Sequence, residues 1–241
     1  MKNDFYKYQA QTTPHPLALE VSHAKGCYIY DTEGKKYLDF IAGVSAISLG
    51  HCHPKIISAV KNQLDKYLHV MVYGEFIQEP AVELTKLLSR FLPENLTTTY
   101  LTNSGTEAIE GSMKLARRAT GRKEIIYAKN AYHGNTMGAL SIMGVEERKE
   151  IFQPLLPDCN SIEFNNEKDI LKITSKTAGV VLETIQGGAG FIVPENNYLK
   201  KVKNRCSEVG ALLILDEIQP GFGRTGKLFS FEHYDISPDI L

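Results

Sequence analysis

The sequence lacks a long apolar run. Nowhere do about 18 apolar residues follow one another, which is the length that a membrane-spanning helix needs. The first residues, MKNDFYKYQAQ, also lack the apolar stretch of a secretory signal peptide. Neither a membrane span nor a secreted protein is therefore predicted, and we expect a cytoplasmic protein with no membrane partner.

An excess of charge of one sign is lacking as well. The 241 residues carry a formal net charge of -1 and contain no block of basic residues. This balance gives no electrostatic reason to expect a nucleic acid or an anionic membrane as a partner. Apolar residues make up 43% and charged residues 23%, which are ordinary values for a globular protein. The length suits one large domain or two small ones.

Cysteine is scarce and scattered. The four cysteines are Cys27, Cys52, Cys159 and Cys206. Their spacing fits neither a CxxC metal motif nor a small disulfide scaffold. The run of His51, Cys52 and His53 looks like a metal site, but neighbouring side chains diverge and no second ligand group lies at a zinc-like spacing. We interpret it as a turn before a helix that Pro54 opens, and we predict no metal.

The first part of the chain predicts mixed α and β structure. CYIYDTEGKKYLDF alternates apolar and polar residues around Gly34, as in a β-hairpin. Helices are predicted from Pro54 to about Leu68 and from Pro80 to about Phe91. The apolar face of the first helix comprises Ile56, Ile57, Val60, Leu64 and Leu68. The expected core contacts of the second are Val82, Leu84, Leu87 and Leu88.

From residue 97 onward, short apolar strands alternate with helices. Strands are predicted at TTTYLT, EIIYA, GVVLE and ALLILD, and helices at EAIEGSMKLARRA and YLKKVKNRCSEV. The alternation predicts an α/β fold with a mostly parallel sheet that is buried on both faces. Ligands bind at the carboxyl ends of such strands. The segments there are NSGTEA, residues 129–135, Glu183 and Asp216-Glu217.

One motif at a strand end suggests an ATPase. Gly221 to Lys227 matches the phosphate loop G-x-x-x-x-G-K, and the preceding strand ends in Asp-Glu like the metal-binding strand of those enzymes. However, Leu228 takes the place of the hydroxyl that would bind Mg²⁺. The following LFSFEHYDISPD is also not the amphipathic helix that a phosphate loop requires. The pattern therefore disfavours a phosphate loop.

Two other segments suit a flat, phosphorylated ligand. Ser104, Gly105 and Thr106 can offer N–H groups and hydroxyls to a phosphate at a helix N-terminus, although the same residues also suit an ordinary N-cap. Tyr132 and His133 put an aromatic side chain at a strand end, where a flat ring can stack. The alternative for these two is an aromatic residue at the edge of the core, beside a turn.

Asp216 ends an apolar strand, where a carboxylate is costly unless it is paired. A protonated pyridine nitrogen is such a partner, and the pair keeps the ring able to withdraw electrons from a substrate carbanion. Gln219 can hydrogen-bond the 3-oxygen of the ring, and Ile218 offers an apolar surface to one ring face. These residue types indicate a site for pyridoxal phosphate.

Taken together, the motifs resemble those of the class III pyridoxal-phosphate-dependent aminotransferases, the group of ornithine, acetylornithine and 4-aminobutyrate aminotransferases. They cover essentially the whole chain, in family order: YIYDTEGKKYLDFIAGV, LGHCHP, NSGTEAIEGSMKLAR, AYHG, LETIQGGAG and ILDEIQPGFGRTGK. The resemblance implies fold type I, pyridoxal phosphate as cofactor, and ping-pong transfer of an amino group from an amino acid or ω-amine to a 2-oxo acid. It also implies a homodimer whose subunits complete each other's active sites.

The resemblance further assigns roles to individual residues. It implies that Gly105 and Thr106 hold the cofactor phosphate, Tyr132 stacks on the ring, Asp216 pairs with its nitrogen, Gln219 contacts its oxygen, and Glu183 helps to organise the polar network. GFGRTGK then becomes a loop near the active site, and its match to a phosphate loop is a coincidence of glycines.

Two substrate positions depart from the family pattern. The ornithine, acetylornithine and 4-aminobutyrate enzymes carry an arginine that grips a substrate carboxylate where this sequence has Asn135, and an amide supplies no charge. Gly188 stands where those enzymes have a glutamate that helps to switch between substrates. Asn135 is therefore a candidate substrate contact, and the amino donor stays open.

The end of the sequence also departs from the pattern. In the family the Schiff-base lysine lies a few residues beyond the PD of YDISPDIL, and this sequence stops at Leu241. Neither Lys129 nor Lys227 replaces that lysine by motif. We therefore expect the N-terminal part of a longer enzyme, inactive alone. The alternative is a cofactor-binding or interaction module without transamination activity.

The same comparison predicts the division into domains. Residues 1–75 are expected to form a hairpin and helix that belong to the small domain and its linker. Residues 76–241 are expected to form the large cofactor-binding domain, incomplete at its C-terminal end, with the C-terminal small domain absent from this chain.

Overall fold

The sheet predicted for the second part of the chain is present and parallel. The computed structural model describes residues 1–71 and 74–241, and the chain divides into two units, Met1–Ile77 and Gln78–Leu241. In the second unit four parallel strands lie in the order β5-β4-β6-β7. Their bounds are β4 Glu124–Ala128, β5 Cys159–Ile162, β6 Thr177–Glu183 and β7 Leu212–Asp216.

Helices cover both faces of this sheet. Alternate strand residues pack on opposite sides, because successive side chains of a strand point to opposite faces. On one side Val180 and Leu213 join the core formed with helix α6, Tyr198–Val209. On the other side, Val181 and Ile214 join the core formed with helix α4, Gly105–Thr120. The prediction of an α/β fold with a sheet buried on both faces is confirmed.

The first unit contains helix α1, a small antiparallel sheet and helix α2. The elements are α1 Lys2–Tyr8, β1 Val21–Lys25, β2 Tyr28–Asp31, β3 Lys36–Leu38 and α2 Pro54–Leu64. The predicted hairpin is confirmed, since β2 pairs with β3. Asp31 closes its turn by accepting hydrogen bonds from the N–H groups of Glu33 and Lys35 at 3.0 and 2.8 Å. Gly34 adopts a φ of +83° there, which glycine tolerates without strain.

Helix α2 is shorter than predicted. It ends at Leu64 rather than near Leu68, and the side-chain amide of Gln63 then donates to the Tyr67 carbonyl at 3.1 Å. The apolar residues predicted for its face are exposed in this chain. In the segment before the helix, His51 is hydrogen-bonded to Asp39 at 2.7 Å.

Three details of the second unit differ from the sequence prediction. TTTYLT forms no strand, because its backbone pairs with no neighbouring strand in the described residues, and β5 was not foreseen. Helix α3 spans Glu79–Ser89, but only Leu88 of its four expected core residues packs on the core. Val82, Leu84 and Leu87 are exposed instead.

Among the described helices none is long and apolar enough to cross a membrane.

Candidate active site

The carboxyl ends of β6 and β7 bring the predicted acidic residues together. Glu183 and Asp216, the last residues of the two strands, are direct neighbours in the sheet register, and both are buried. Oδ2 of Asp216 accepts a hydrogen bond from Nδ1 of His133 at 2.8 Å, and Oδ1 accepts one from the Ile218 N–H at 3.0 Å. The contact between His133 and Asp216 was not foreseen, because 83 residues separate the two in sequence.

Glu183 holds two loops at this edge of the sheet. Oε1 accepts from the N–H of Tyr132 and Oε2 from the N–H of Gly187, both at 2.9 Å. Burial raises the pKa of this carboxyl, although the two amides and His133 oppose the increase. Glu183 therefore fixes the backbone that carries Tyr132 and the backbone at Gly187.

Sequence reasoning missed the part that Glu217 plays. Oε1 accepts from the hydroxyl of Thr184 at 2.6 Å and from the Phe231 N–H at 2.8 Å, while Oε2 accepts from the Ser230 N–H at 2.8 Å. Burial raises its pKa, and the nearby Asp216 raises it further. A second carboxylate directly after Asp216, at the end of an apolar strand, was the available signal. Its partners, however, come from distant segments.

The cluster holds more acidic than basic groups. Glu183, Asp216 and Glu217 lie at adjacent strand ends, and the imidazole of His133 is hydrogen-bonded to Asp216. Nε2 of His133 is buried and has no partner among the described residues. Buried carboxylates need hydrogen bonds or a positive charge to offset the cost of burial. This group of carboxylates therefore suits a ligand that carries a positive charge.

The first turn of α4 offers free N–H groups. Ser104 is the N-cap, and its hydroxyl accepts from the Glu107 N–H at 3.3 Å, so the ordinary capping role is confirmed. The N–H groups of Gly105 and Thr106 find no acceptor within the described residues. Such N–H groups at a helix N-terminus attract anions. The capping role and a phosphate-binding role are therefore compatible.

Two glycines leave room for Ile218 and Gln219, which are predicted to bind the cofactor. A Cβ on Gly105 would lie 2.7 Å from Cδ1 of Ile218, and a Cβ on Gly187 would lie 1.5 Å from Oε1 of Gln219. These contacts place Ile218 against the first turn of α4 and Gln219 against the loop after β6. The two residues therefore lie beside the acidic cluster.

Two of the residues predicted to bind the cofactor are exposed to solvent in this chain. Tyr132 is 42% exposed and Ile218 is 59% exposed. Asn135 is also exposed. A Cβ on Gly188 would lie 3.6 Å from Cβ of Tyr132, which is ordinary contact distance, so a methyl group fits at this position.

Two motifs were disfavoured on sequence: the phosphate-loop match at residues 221–227 and the metal-like run of His51, Cys52 and His53. Residues 221–227 lead into a short 3-10 helix, Ser230–His233, and not into the α-helix of a phosphate loop. Within residues 1–71 and 74–241, no group of three or more His, Cys, Asp or Glu side chains is placed to hold a metal ion.

Comparison with known proteins identifies the family. The model of the family "Aminotransferase class-III" matches residues 8–241. The chain belongs to the class III aminotransferases. Acetylornithine aminotransferase of Clostridium acetobutylicum is 43% identical over 224 residues, a match that covers 90% of this chain and 57% of that protein. The [LysW]-aminoadipate semialdehyde/glutamate semialdehyde transaminase of Sulfolobus acidocaldarius is 42% identical, and that match covers 92% and 57%.

Solved structures agree with this family. Ornithine aminotransferase of Toxoplasma gondii superimposes with a TM-score of 0.86 at 30% identity, covering 99% of this chain and 59% of that one. Adenosylmethionine-8-amino-7-oxononanoate aminotransferase of Methanocaldococcus jannaschii gives 0.88 at 30% identity, covering 96% and 57%. The fold is therefore fold type I. The chain of this class III aminotransferase spans less than two thirds of the length of these relatives.

Pyridoxal phosphate is the cofactor of this class III aminotransferase, and the site fits it. The excess of buried carboxylates suits a protonated pyridine nitrogen. The free N–H groups of Gly105 and Thr106 suit a phosphate. The exposed ring of Tyr132 is available for stacking.

Gly134 is a position at which both the backbone conformation and the close packing disfavour an added methyl group. Its φ is +127°, and an added Cβ would lie 2.3 Å from Oγ1 of Thr106. We expect Gly134→Ala to lower the free energy of unfolding by about 3 kcal/mol, because backbone strain and overpacking add. Urea unfolding measures this loss.

Gly121→Ala is the matched control. Gly121 also has a positive φ, +69°, but nothing lies within 4 Å of an added Cβ. Only backbone strain of about 1 kcal/mol is expected there. Equal losses in the two variants would show that the contact with Thr106 contributes nothing.

Proposed function

We propose that the protein moves an amino group from an amino acid or ω-amine to a 2-oxo acid in a ping-pong reaction. The donor is of the ornithine, acetylornithine or 4-aminobutyrate kind. The observation that carries this proposal is the pairing of Asp216 with His133 at the strand ends, inside a cluster of buried carboxylates. Names of relatives at about 40% identity, acetylornithine aminotransferase among them, support the donor class.

Asp216 is the central catalytic residue of the proposal. When bound, the cofactor supplies an electron-withdrawing ring that stabilises a carbanion on the substrate. The carboxylate of Asp216 holds a proton on the pyridine nitrogen, because an ionised partner in a buried site favours the charged form. His133 keeps Asp216 in place through the 2.8 Å hydrogen bond.

The remaining candidate residues bind and orient the cofactor. The first turn of α4, with Ser104, Gly105 and Thr106, binds the phosphate through backbone N–H groups. Tyr132 would stack on the ring, and Ile218 would offer an apolar surface to one ring face. Two polar contacts complete the site. Gln219 would bind the ring oxygen, and Glu183 accepts from the backbone N–H of Tyr132.

The assembly and location belong to the same proposal. We propose a cytoplasmic homodimer, as in the family that the motifs resemble. The exposure of Tyr132 and Ile218 in the single chain is consistent with a site that a second subunit helps to enclose. Sedimentation equilibrium of the purified protein measures the mass directly, and a monomer at micromolar concentration would contradict the dimer.

Two half-reactions test the function. The test uses the full-length enzyme, because this chain matches only 57% of the length of its relatives. The purified enzyme, loaded with pyridoxal phosphate, is mixed with N-acetylornithine, ornithine or 4-aminobutyrate in separate reactions. One equivalent of the aldehyde product should form, with a change in cofactor absorbance. Adding 2-oxoglutarate should then restore the initial spectrum and yield glutamate. A protein that binds the cofactor but yields no product with any of these donors would contradict the proposal.

Asn135 is the residue that should set the preference between donors. We expect Asn135→Arg to raise kcat/KM by about tenfold for these donors, each of which carries a carboxylate, but not for a simple alkylamine such as 1-aminobutane, because a charged hydrogen bond contributes about 1.5 kcal/mol or more. Steady-state kinetics over the panel of donors and the alkylamine measures the change. Asn135→Gln keeps the amide and is the control. An unchanged preference in Asn135→Arg would show that this position does not contact the carboxylate.

A further inference from the structure

A chain of hydrogen bonds links helix α4 to the segment that follows Tyr132. Oε1 of Glu110 accepts from the hydroxyl of Thr136 at 2.7 Å and from the Gly138 N–H at 2.8 Å. The hydroxyl of Thr136 also lies 2.8 Å from that of Thr106, in the first turn of α4. In addition, the Thr136 N–H donates to Oγ1 of Thr106 at 3.2 Å.

Counting the protons fixes the direction of this chain. An ionised carboxylate only accepts, and each threonine hydroxyl has one proton to donate. Thr136 gives its proton to Glu110, so the 2.8 Å contact requires the Thr106 hydroxyl to donate to Thr136. The proton of Thr106 is thereby directed at Thr136. In this arrangement the backbone N–H groups at the start of α4, and not this hydroxyl, are left to donate to a phosphate.

Two glycines bring the segment against the helix. A Cβ on Gly138 would lie 2.2 Å from Oε2 of Glu110, and a Cβ on Gly134 would lie 2.3 Å from Oγ1 of Thr106. Helix α5, Met137–Ser141, begins at this contact, and the Ala139 N–H also lies 3.3 Å from Oε1 of Glu110. A single carboxylate oxygen therefore accepts from three donors of the segment.

We propose that Glu110 is a positioning residue that couples the phosphate-binding turn to the ring-binding loop. The proposal rests on the roles proposed above for the first turn of α4 and for Tyr132. One end of pyridoxal phosphate is bound by α4 and the other by the loop, so the cofactor is a bivalent ligand. Glu110 and Thr136 fix the separation and orientation of the two half-sites without touching the cofactor.

Coupling of this kind has a distinctive signature. A rigid link between two half-sites raises the affinity for a ligand that occupies both, because the second contact becomes intramolecular. It adds nothing to the affinity for a ligand that occupies one half-site. Loss of Glu110 should therefore weaken the binding of pyridoxal phosphate while it spares both pyridoxal and inorganic phosphate.

The experiment measures dissociation constants for these three ligands by calorimetry on the purified apoprotein. In Glu110→Ala the dissociation constant of pyridoxal phosphate should rise at least about tenfold, a modest share of the gains that linked sites give. The constants for pyridoxal and inorganic phosphate should stay within about twofold, since neither ligand occupies both half-sites. Visible circular dichroism of the bound cofactor should weaken, because the ring is less well oriented.

Two further variants complete the design. Glu110→Gln keeps an oxygen that accepts from the Thr136 hydroxyl and the Gly138 N–H, so it should recover most of the affinity for pyridoxal phosphate. Glu147→Ala is the control, because Glu147 is exposed and makes no hydrogen bond or ion pair in the described residues. It should leave all three constants unchanged.

The outcomes separate this inference from the proposed function. Unchanged affinity for pyridoxal phosphate in Glu110→Ala would overturn the inference, and so would an equal loss for all three ligands, which indicates damage to the fold. Failure of Glu110→Gln to recover affinity would also overturn it. A native protein that binds none of the three ligands would instead overturn the proposed cofactor site itself.

Discussion

Replacing Asp216 with asparagine should lower kcat roughly 10²–10³-fold, the loss that follows removal of one preorganised electrostatic group from an active site. The amide cannot supply the negative charge that holds a proton on the pyridine nitrogen. It keeps the size of the side chain and an oxygen that can accept from His133 or Ile218, so the fold should persist. Steady-state kinetics of the full-length enzyme with saturating cofactor and donor measures the change.

Asp235→Asn is the matched control for this variant. The side chain of Asp235 is 98% exposed, and the residue follows the short 3-10 helix Ser230–His233 in sequence. The same chemical change should leave kcat within about twofold there, because exposed charges contribute little. Near-normal turnover in Asp216→Asn would refute the role assigned to Asp216.

Replacing Glu217 with alanine should lower the free energy of unfolding by about 3–5 kcal/mol, because three donors lose their acceptor and each buried unpaired group costs about 1–3 kcal/mol. The donors are the Thr184 hydroxyl and the N–H groups of Ser230 and Phe231. Urea unfolding at neutral pH measures the loss. A change below about 1 kcal/mol would show that water or other groups replace the carboxylate.

The pH dependence of Glu217→Gln gives an independent check. Burial raises the pKa of Glu217 above its ordinary value of 4.5, so the folded state binds this proton more tightly than the unfolded state. The part of the stability that comes from this proton is therefore full below about pH 4.5 and is lost as the pH rises through the raised folded pKa. Glutamine cannot titrate, so unfolding free energy should fall less steeply with pH above 4.5 in the variant. Equal slopes of unfolding free energy against pH in the native protein and in Glu217→Gln would contradict a raised pKa for Glu217.

Much of the fold was predictable because its signals are local. The apolar runs of β4, β6 and β7 and the amphipathic pattern of α4 and α6 match the elements observed. Runs of this kind are buried on both faces in a parallel sheet, so the sheet type followed as well. Where strands needed a partner, local signals failed: TTTYLT has β-branched residues but no neighbouring strand in the described chain.

The active-site interpretation divides in the same way. The sequence by itself determined the family, through motifs in order, and it placed Glu183 and Asp216 at the carboxyl ends of strands, which meet at one edge of a parallel sheet. That these two strands are adjacent came from the structure. Only the tertiary structure decided that His133 pairs with Asp216 and that Glu110 joins α4 to the loop after Tyr132. Side-chain hydrogen bonds depend on positions to within a few tenths of an ångström, and that precision arises only when distant segments pack together.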